Sequence, residues 1–122
     1  LKLKGRNAQA IPEFQKAFDL NHDLYALAML GQAYGRNGQT EEARKVLAQL
    51  NEEAKSRYVP PYALALALLG LGEKERALAE LERAYQTHDT NYLFVIKTDP
   101  LLDDLRGDPR FEVLVQKVVG GK

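Results

Sequence analysis

Few residues in this 122-residue chain have types suited to chemistry. There are two histidines, His22 and His88, and one serine, Ser56. A zinc site needs three or four ligands at helical or turn spacing, and only scattered Asp and Glu residues lie near either histidine. Both read as exposed residues of helix junctions. The carboxylates Asp103, Asp104 and Asp108 lack the alternating ligand ladder of a calcium loop, so they read as helix caps and solvated charges. Ser56 has no glycine-flanked elbow to activate it. No glycine-rich loop is shaped to cradle phosphate. Cysteine is absent, which removes disulfides, thiolate metal sites and cysteine nucleophiles together and favours a reducing compartment. No catalytic residue, cofactor site or metal site is expected, and the chain reads as something other than an enzyme.

Bulk composition narrows the partners. The 17 basic residues balance 17 acidic ones, so no net field draws the chain to nucleic acid or to an acidic membrane. The longest apolar run, from Tyr62 to Leu71, is about half the length a bilayer crossing needs. No charged-then-apolar signal segment opens the chain. A soluble, cytoplasmic domain that engages other proteins is the expectation, with no membrane insertion and no nucleic acid.

The elements that position these residues repeat. A glycine followed five residues later by an alanine occurs as Gly5/Ala10, Gly38/Ala43 and Gly72/Ala77, at intervals of 33 and 34 residues. Four residues before each glycine stands Leu1, Tyr34 or Leu68. Four residues after each alanine stands Phe14, Leu47 or Leu81, and three further on Ala17, Leu50 or Ala84. The glycine can adopt a left-handed backbone conformation, ending one helix and allowing a tight reversal. Thr40, Glu41 and Glu42, or Glu73 and Glu75, suit the next helix start through a capping hydroxyl and negative charge near the dipole. The alanine permits close helix approach, and the three- and four-residue steps make one buried stripe. Each unit is a helical hairpin that buries its apolar face only when a neighbour stacks on it. Ala63 to Leu68 alternates small and large residues as a strand would. It is nevertheless built of helix formers and lies in register with Leu27 to Gly35, so it reads as a helix starting near Pro60-Pro61.

Leu30-Gly31-Gln32-Ala33-Tyr34 with Gly38, Ala43, Leu47 and Leu50 resembles a tetratricopeptide repeat, whose period is about 34 residues. Leu64-Ala65 with Leu68, Gly72, Ala77, Leu81 and Ala84 is similar at the same places. The resemblance implies an all-α fold, a right-handed superhelix of antiparallel helical hairpins in a single domain. A partial repeat over 1–23 is followed by repeats at 24–57 and 58–90, then by a degenerate repeat and C-terminal cap at 91–122. Leu1 to Lys4 read as the last turn of a helix that ends at Gly5, so the chain is expected to be a piece of a longer protein. Pro12 is expected to delay or bend the helix after Gly5. Asn91 to Lys97 form a short helix stopped by Asp99-Pro100. A final helix starts at Asp108-Pro109, carries Phe111, Leu114, Val115 and Val118, and ends at Gly120-Gly121.

The run from Asp99 to Phe111, with Tyr58-Val59-Pro60-Pro61-Tyr62 and Gly70-Leu71-Gly72, is similar to the end of the repeat regions of bacterial signalling proteins. These include serine/threonine kinases, winged-helix regulators and nucleotide cyclases. That resemblance implies an interaction region and transfers no catalytic residue.

In such repeats the first helices line a concave face. Helical projection places Tyr25, Ala28, Gln32 and Arg36 there from one repeat, and Val59, Tyr62, Leu66 and Leu69 from the next, with Leu93 and Ile96 extending the set. An apolar strip with tyrosines and an arginine suits a partner's amphipathic helix or extended peptide. The helix over 60–71 is apolar almost all round, so Leu66 and Leu69 either meet a ligand or pack against the terminal helices. Repeat domains that clamp a terminal carboxylate use lysine, arginine and asparagine where this chain has Ala28, Gln32, Val59 and Tyr62, which argues against that mode. The alternative function is self-association, as a homo-oligomer formed through the partial first repeat.

Overall fold

The computed structural model describes residues 2–87, 96 and 98–120, with no side chains described for 2–8, 100 and 101. Among them the regular structure is entirely helical: α1 (Lys2–Asn21), α2 (Leu24–Arg36), α3 (Thr40–Glu53), α4 (Pro61–Gly70), α5 (Lys74–Gln86), a 3₁₀ turn (Pro100–Leu105) and α6 (Pro109–Val119). Helix α2 packs on α1, α3 and α4; α4 packs on α5; the 3₁₀ turn lies against α4 and α5, and α6 lies against α5. This is a helical solenoid of the tetratricopeptide type.

The reversals follow from residue chemistry. Gly38 and Gly72 have φ of 81° and 77°, the left-handed region where a side chain would be strained, and each sits in a three-residue connection between consecutive helices. Asp23 caps α2 by accepting a hydrogen bond from Tyr25 N at 2.9 Å. Thr40 is the first residue of α3 rather than its cap. Gln39 holds the cap position, and it makes no side-chain capping bond. Glu41 and Glu42 do fall in the first turn, where the helix dipole favours them. Pro61 opens α4 because its missing N–H lies where no intrahelical partner exists, and Pro60 before it is extended (ψ 139°) as a residue preceding proline must be. Asp108 caps α6 by accepting from Arg110 N at 2.9 Å, and Glu112 reaches back to accept from Gly107 N at 3.1 Å. Asp108→Ala is expected to lower stability by about 1 kcal/mol, measured by urea denaturation. A change below a few tenths would show that Glu112 alone secures this helix start.

The expected reversal at Gly5, and with it a helix start delayed to Pro12, is corrected at the front of the chain. No turn occurs at Gly5, since α1 runs unbroken from Lys2 to Asn21 and contains Pro12 in its interior. A glycine permits a reversal without imposing one, and Arg6, Asn7 and Ala8 lack the acidic first turn found after Gly38. A continuous helix keeps the backbone hydrogen bonds that a turn would forfeit. Proline costs the ladder one bond, and α1 absorbs that loss while lying along α2.

The core is the stripe of each helix turned inward. Ala43, Val46 and Leu50 come from α3, Ala77, Leu78, Leu81 and Ala84 from α5, and Phe111, Leu114 and Val115 from α6. Helix α4 buries eight of its residues, as its apolar circumference requires. Between α2 and α4 the backbones themselves meet. A Cβ on Gly35 would stand 1.8 Å from the Gly70 carbonyl oxygen, and one on Gly70 would stand 2.6 Å from Gln32 Cα.

Candidate interaction surface

Tyr25, Ala28, Gln32 and Arg36 on α2 adjoin Tyr62, Leu66 and Leu69 on α4, with Val59 in the loop before it. The Tyr25 and Tyr62 rings lie 5.9 Å apart at 30°. Six of the eight are buried: Ala28, Gln32, Val59, Tyr62, Leu66 and Leu69. Only Tyr25 and Arg36 keep part of their surface in solvent. The reason is packing on two fronts. Ala28 and Gln32 fall on the same side of α2 as Gly31 and Gly35, where the helices touch through their backbones. Leu66 and Leu69 join the cluster that also contains Ile96, Leu102, Leu105 and Phe111. Of the two readings open for Leu66 and Leu69, core packing is the one seen. Ile96 is itself fully buried, whereas Leu93, His88 and the expected helix over 91–97 lie outside the described residues.

Polar groups fasten the C-terminal turn to this face. The Tyr62 hydroxyl donates to Asp99 Oδ2 at 2.5 Å. Arg36 Nη2 stands 3.5 Å from Asp104 Oδ2, an ion pair open enough to water to contribute at most about 1 kcal/mol. Arg106 donates to the carbonyls of Asp99 at 2.8 Å and Ile96 at 3.4 Å, pairs with Asp103 at 3.1 Å and sits 5.5 Å from the centre of the Phe111 ring. The aspartates thus have local work: Asp103 and Asp104 in ion pairs, Asp108 as a cap. The described residues contain no group of three or more His, Asp or Glu placed to hold a metal ion. His22 is exposed in the α1–α2 junction with φ of 51°, its carbonyl accepting from Arg57.

Burial is the first cause, and the bond to Asp99 and its charge the next, that push the Tyr62 phenol well above the ordinary tyrosine range, while Arg106 opposes them. A raised folded-state pKa gives stability that is complete below the unfolded value near 10 and is lost as pH rises beyond it. The unfolded chain releases the proton there and the folded chain keeps it. Tyr62→Phe is expected to cost about 1–2 kcal/mol at neutral pH and to flatten the alkaline decline above pH about 10. Urea denaturation at several pH values checks both. An unchanged alkaline slope would mean that burial and the bond to Asp99 do not keep the phenol protonated.

Among the described residues of the face that helical projection picked out, one stripe of α2 stays open. Tyr25, Met29 and Arg36 share a helix face at spacings of four and seven residues, and each is partly exposed. Met29 was missed by projection, although its position one turn after Tyr25 was a usable signal. A second feature is a cleft of about 340 Å³ between α5 and α6, lined by residues that include Glu82, Tyr85, Arg110 and Val113. Its seat depends on the cap helix, which has no counterpart in the repeat. No helix among the described residues is long and apolar enough to cross a membrane.

Residues 24–56 match the sequence profile of the tetratricopeptide repeat. No curated protein and no solved structure matched the chain. Tetratricopeptide repeats generally mediate protein–protein interaction.

Proposed function

We propose that this chain is a protein-interaction module that takes a partner's peptide or helix along the α2 side of its concave face, as part of a larger bacterial signalling or regulatory protein. The observation that carries this reading is the stripe of Tyr25, Met29 and Arg36, left partly exposed where the rest of the face is packed. An aromatic ring, an adaptable thioether and a guanidinium are residue types that contribute disproportionately to binding. The buried neighbours act through shape, because Ala28 and Gln32 keep α2 against α4. The similarity of Asp99 to Phe111 to signalling-protein repeat ends supports the wider context, and a kinase, cyclase or DNA-binding domain encoded upstream is the check on it.

A photo-reactive phenylalanine analogue at position 25 tests the surface directly. It should capture a defined partner in source cells, and the same group at exposed position 116 on α6 should not. Equal capture at both positions, or capture only at 116, would remove the concave face from the reading. Self-association is the second reading. It is favoured by Leu20, 69% exposed at the end of α1, on the helix that also carries the half-buried Ile11 and Phe14. Light scattering over a concentration series should then show a dimer that Leu20→Lys abolishes.

A further inference from the structure

Taking the concave reading above as the premise, we infer that the segment from Asp99 to Leu105 is an internal ligand of that face. It is a strap that a partner peptide of the same chemistry, leucines set among carboxylates, displaces. Two of the residues projected onto the face are bonded to it: Tyr62 donates to Asp99 at 2.5 Å, and Arg36 pairs with Asp104 at 3.5 Å. The strap also lies against α4, whose Leu66 and Leu69 belong to the same buried cluster as Leu102 and Leu105. Asp99, Leu102, Asp104 and Leu105 thus bring two carboxylates and two apolar anchors to the repeats, which is the content of a bound peptide.

Charge favours that content. Helices α2 and α4 contain no Asp or Glu, and Arg36 is the one charged residue on them. Along α5, which the strap also touches, Lys74, Arg76 and Arg83 balance Glu75, Glu80 and Glu82. The three helical spans behind the strap therefore carry one net positive charge. The strap answers with Asp99, Asp103 and Asp104 against Arg106.

Only side chains hold it there. Among the described residues no backbone hydrogen bond joins the strap to α2, α4 or α5. Its own bonds, from Leu102 N to Asp99 O and from Arg106 N to Asp103 O at 3.1 Å each, are internal and of the weaker three-residue kind. A peptide with the same side chains replaces the ties that the strap gives up. Helix α6 meanwhile stays on α5 through Arg110, which bonds Glu82 and Glu75. Because the strap is tethered it competes at high effective concentration, so partner affinity is lowered by the fraction of chains that are closed.

The probe is an end-capped peptide with the sequence of residues 96–106, and the control peptide has lysine at its three aspartates. Millimolar probe should speed amide exchange of wild-type Leu102 and Arg106 about tenfold and leave α3 unchanged, and the control should do neither. A chain carrying Asp99→Ala and Asp104→Ala loses both polar ties, and should bind fluorescein-labelled probe about tenfold tighter than wild type does. Adding Arg36→Glu to that chain should turn its preference towards the lysine peptide. Circular dichroism checks that the variants stay helical, and the exchange measurement needs no variant. Exchange unmoved by the probe, or raised equally by the control, overturns the inference. So does binding no tighter in the double variant. If a partner is still captured from position 25 when these tests fail, the strap is removed and the concave reading stands.

Discussion

Gly35→Ala should destabilise the fold by about 3 kcal/mol, although alanine is the better helix former by about 1 kcal/mol. The added methyl carbon would lie 1.8 Å from the carbonyl oxygen of Gly70, 2.4 Å from its carbonyl carbon and 2.8 Å from its Cα. Those are backbone atoms of a neighbouring helix, and no rotamer can move them aside. Relief requires α2 and α4 to separate, which opens the interface where Ala28, Gln32, Leu66 and Leu69 are buried. The other glycines grade the effect. Gly70→Ala meets Gln32 Cα at 2.6 Å and the Gly31 carbonyl oxygen at 2.8 Å, again backbone, and should rank second. Gly31→Ala meets the Val46 side chain at 2.7 Å, which Val46→Ala can remove, so the double variant should recover part of the loss. Gly38→Ala meets nothing within 4 Å and should cost only about 1 kcal/mol, from its left-handed φ. Urea midpoints of the four single variants give the order. If Gly35→Ala were no worse than Gly38→Ala, the two helices would not be in backbone contact.

That glycine series marks what the sequence makes legible. Gly38 and Gly72 could be found because a left-handed turn is a local property, decided by a residue and its immediate neighbours. Gly5 matched the same spacing and was misread: Arg6-Asn7-Ala8 lack the acidic first turn that Glu41 and Glu42, or Glu75, give the helices after Gly38 and Gly72. Gly31, Gly35 and Gly70 sit inside helices, where their use is the approach of another backbone, and period alone carries no sign of that. The same division runs through the candidate surface. Helical projection placed Tyr25, Tyr62 and Arg36 on one side of the solenoid, and the Tyr25–Tyr62 ring contact joins the two helices there. Whether such residues are open depends on what covers them. The cover is a non-repeating segment whose 3₁₀ turn over Pro100–Leu105 has no periodic signature to read. The α5/α6 cleft was invisible for a related reason, since the pitch of a cap helix against the last repeat follows from packing and not from the period.

Phe111→Ala should be the most damaging substitution in the C-terminal cap, at about 3–5 kcal/mol. Its ring is fully buried and belongs to the cluster that contains Leu102, Leu105 and Ile96 from the closing segment and Leu66 from α4. Truncation would leave a cavity within that cluster. It would also remove the aromatic face beneath Arg106, the residue that holds the carbonyls of Ile96 and Asp99. Val113→Ala, two residues along the same helix, should cost less than about 1 kcal/mol, because that side chain is 54% exposed. The contrast separates loss of packing from loss of helix propensity at neighbouring positions of α6. Its form of unfolding carries the functional consequence. If cap and repeats unfold as one unit, Phe111→Ala lowers the urea midpoint and leaves the slope unchanged. If the cap melts first, the slope falls, the transition loses its two-state character, and amide exchange rises over 96–120 before it rises in α2 and α3. In the second case the C-terminal turn is a removable cover, and the hydroxyl of Tyr62, released from Asp99, joins Tyr25 and Arg36 as surface that a partner can reach. In the first, that face is permanently core, and recognition on the concave side is confined to the stripe of α2.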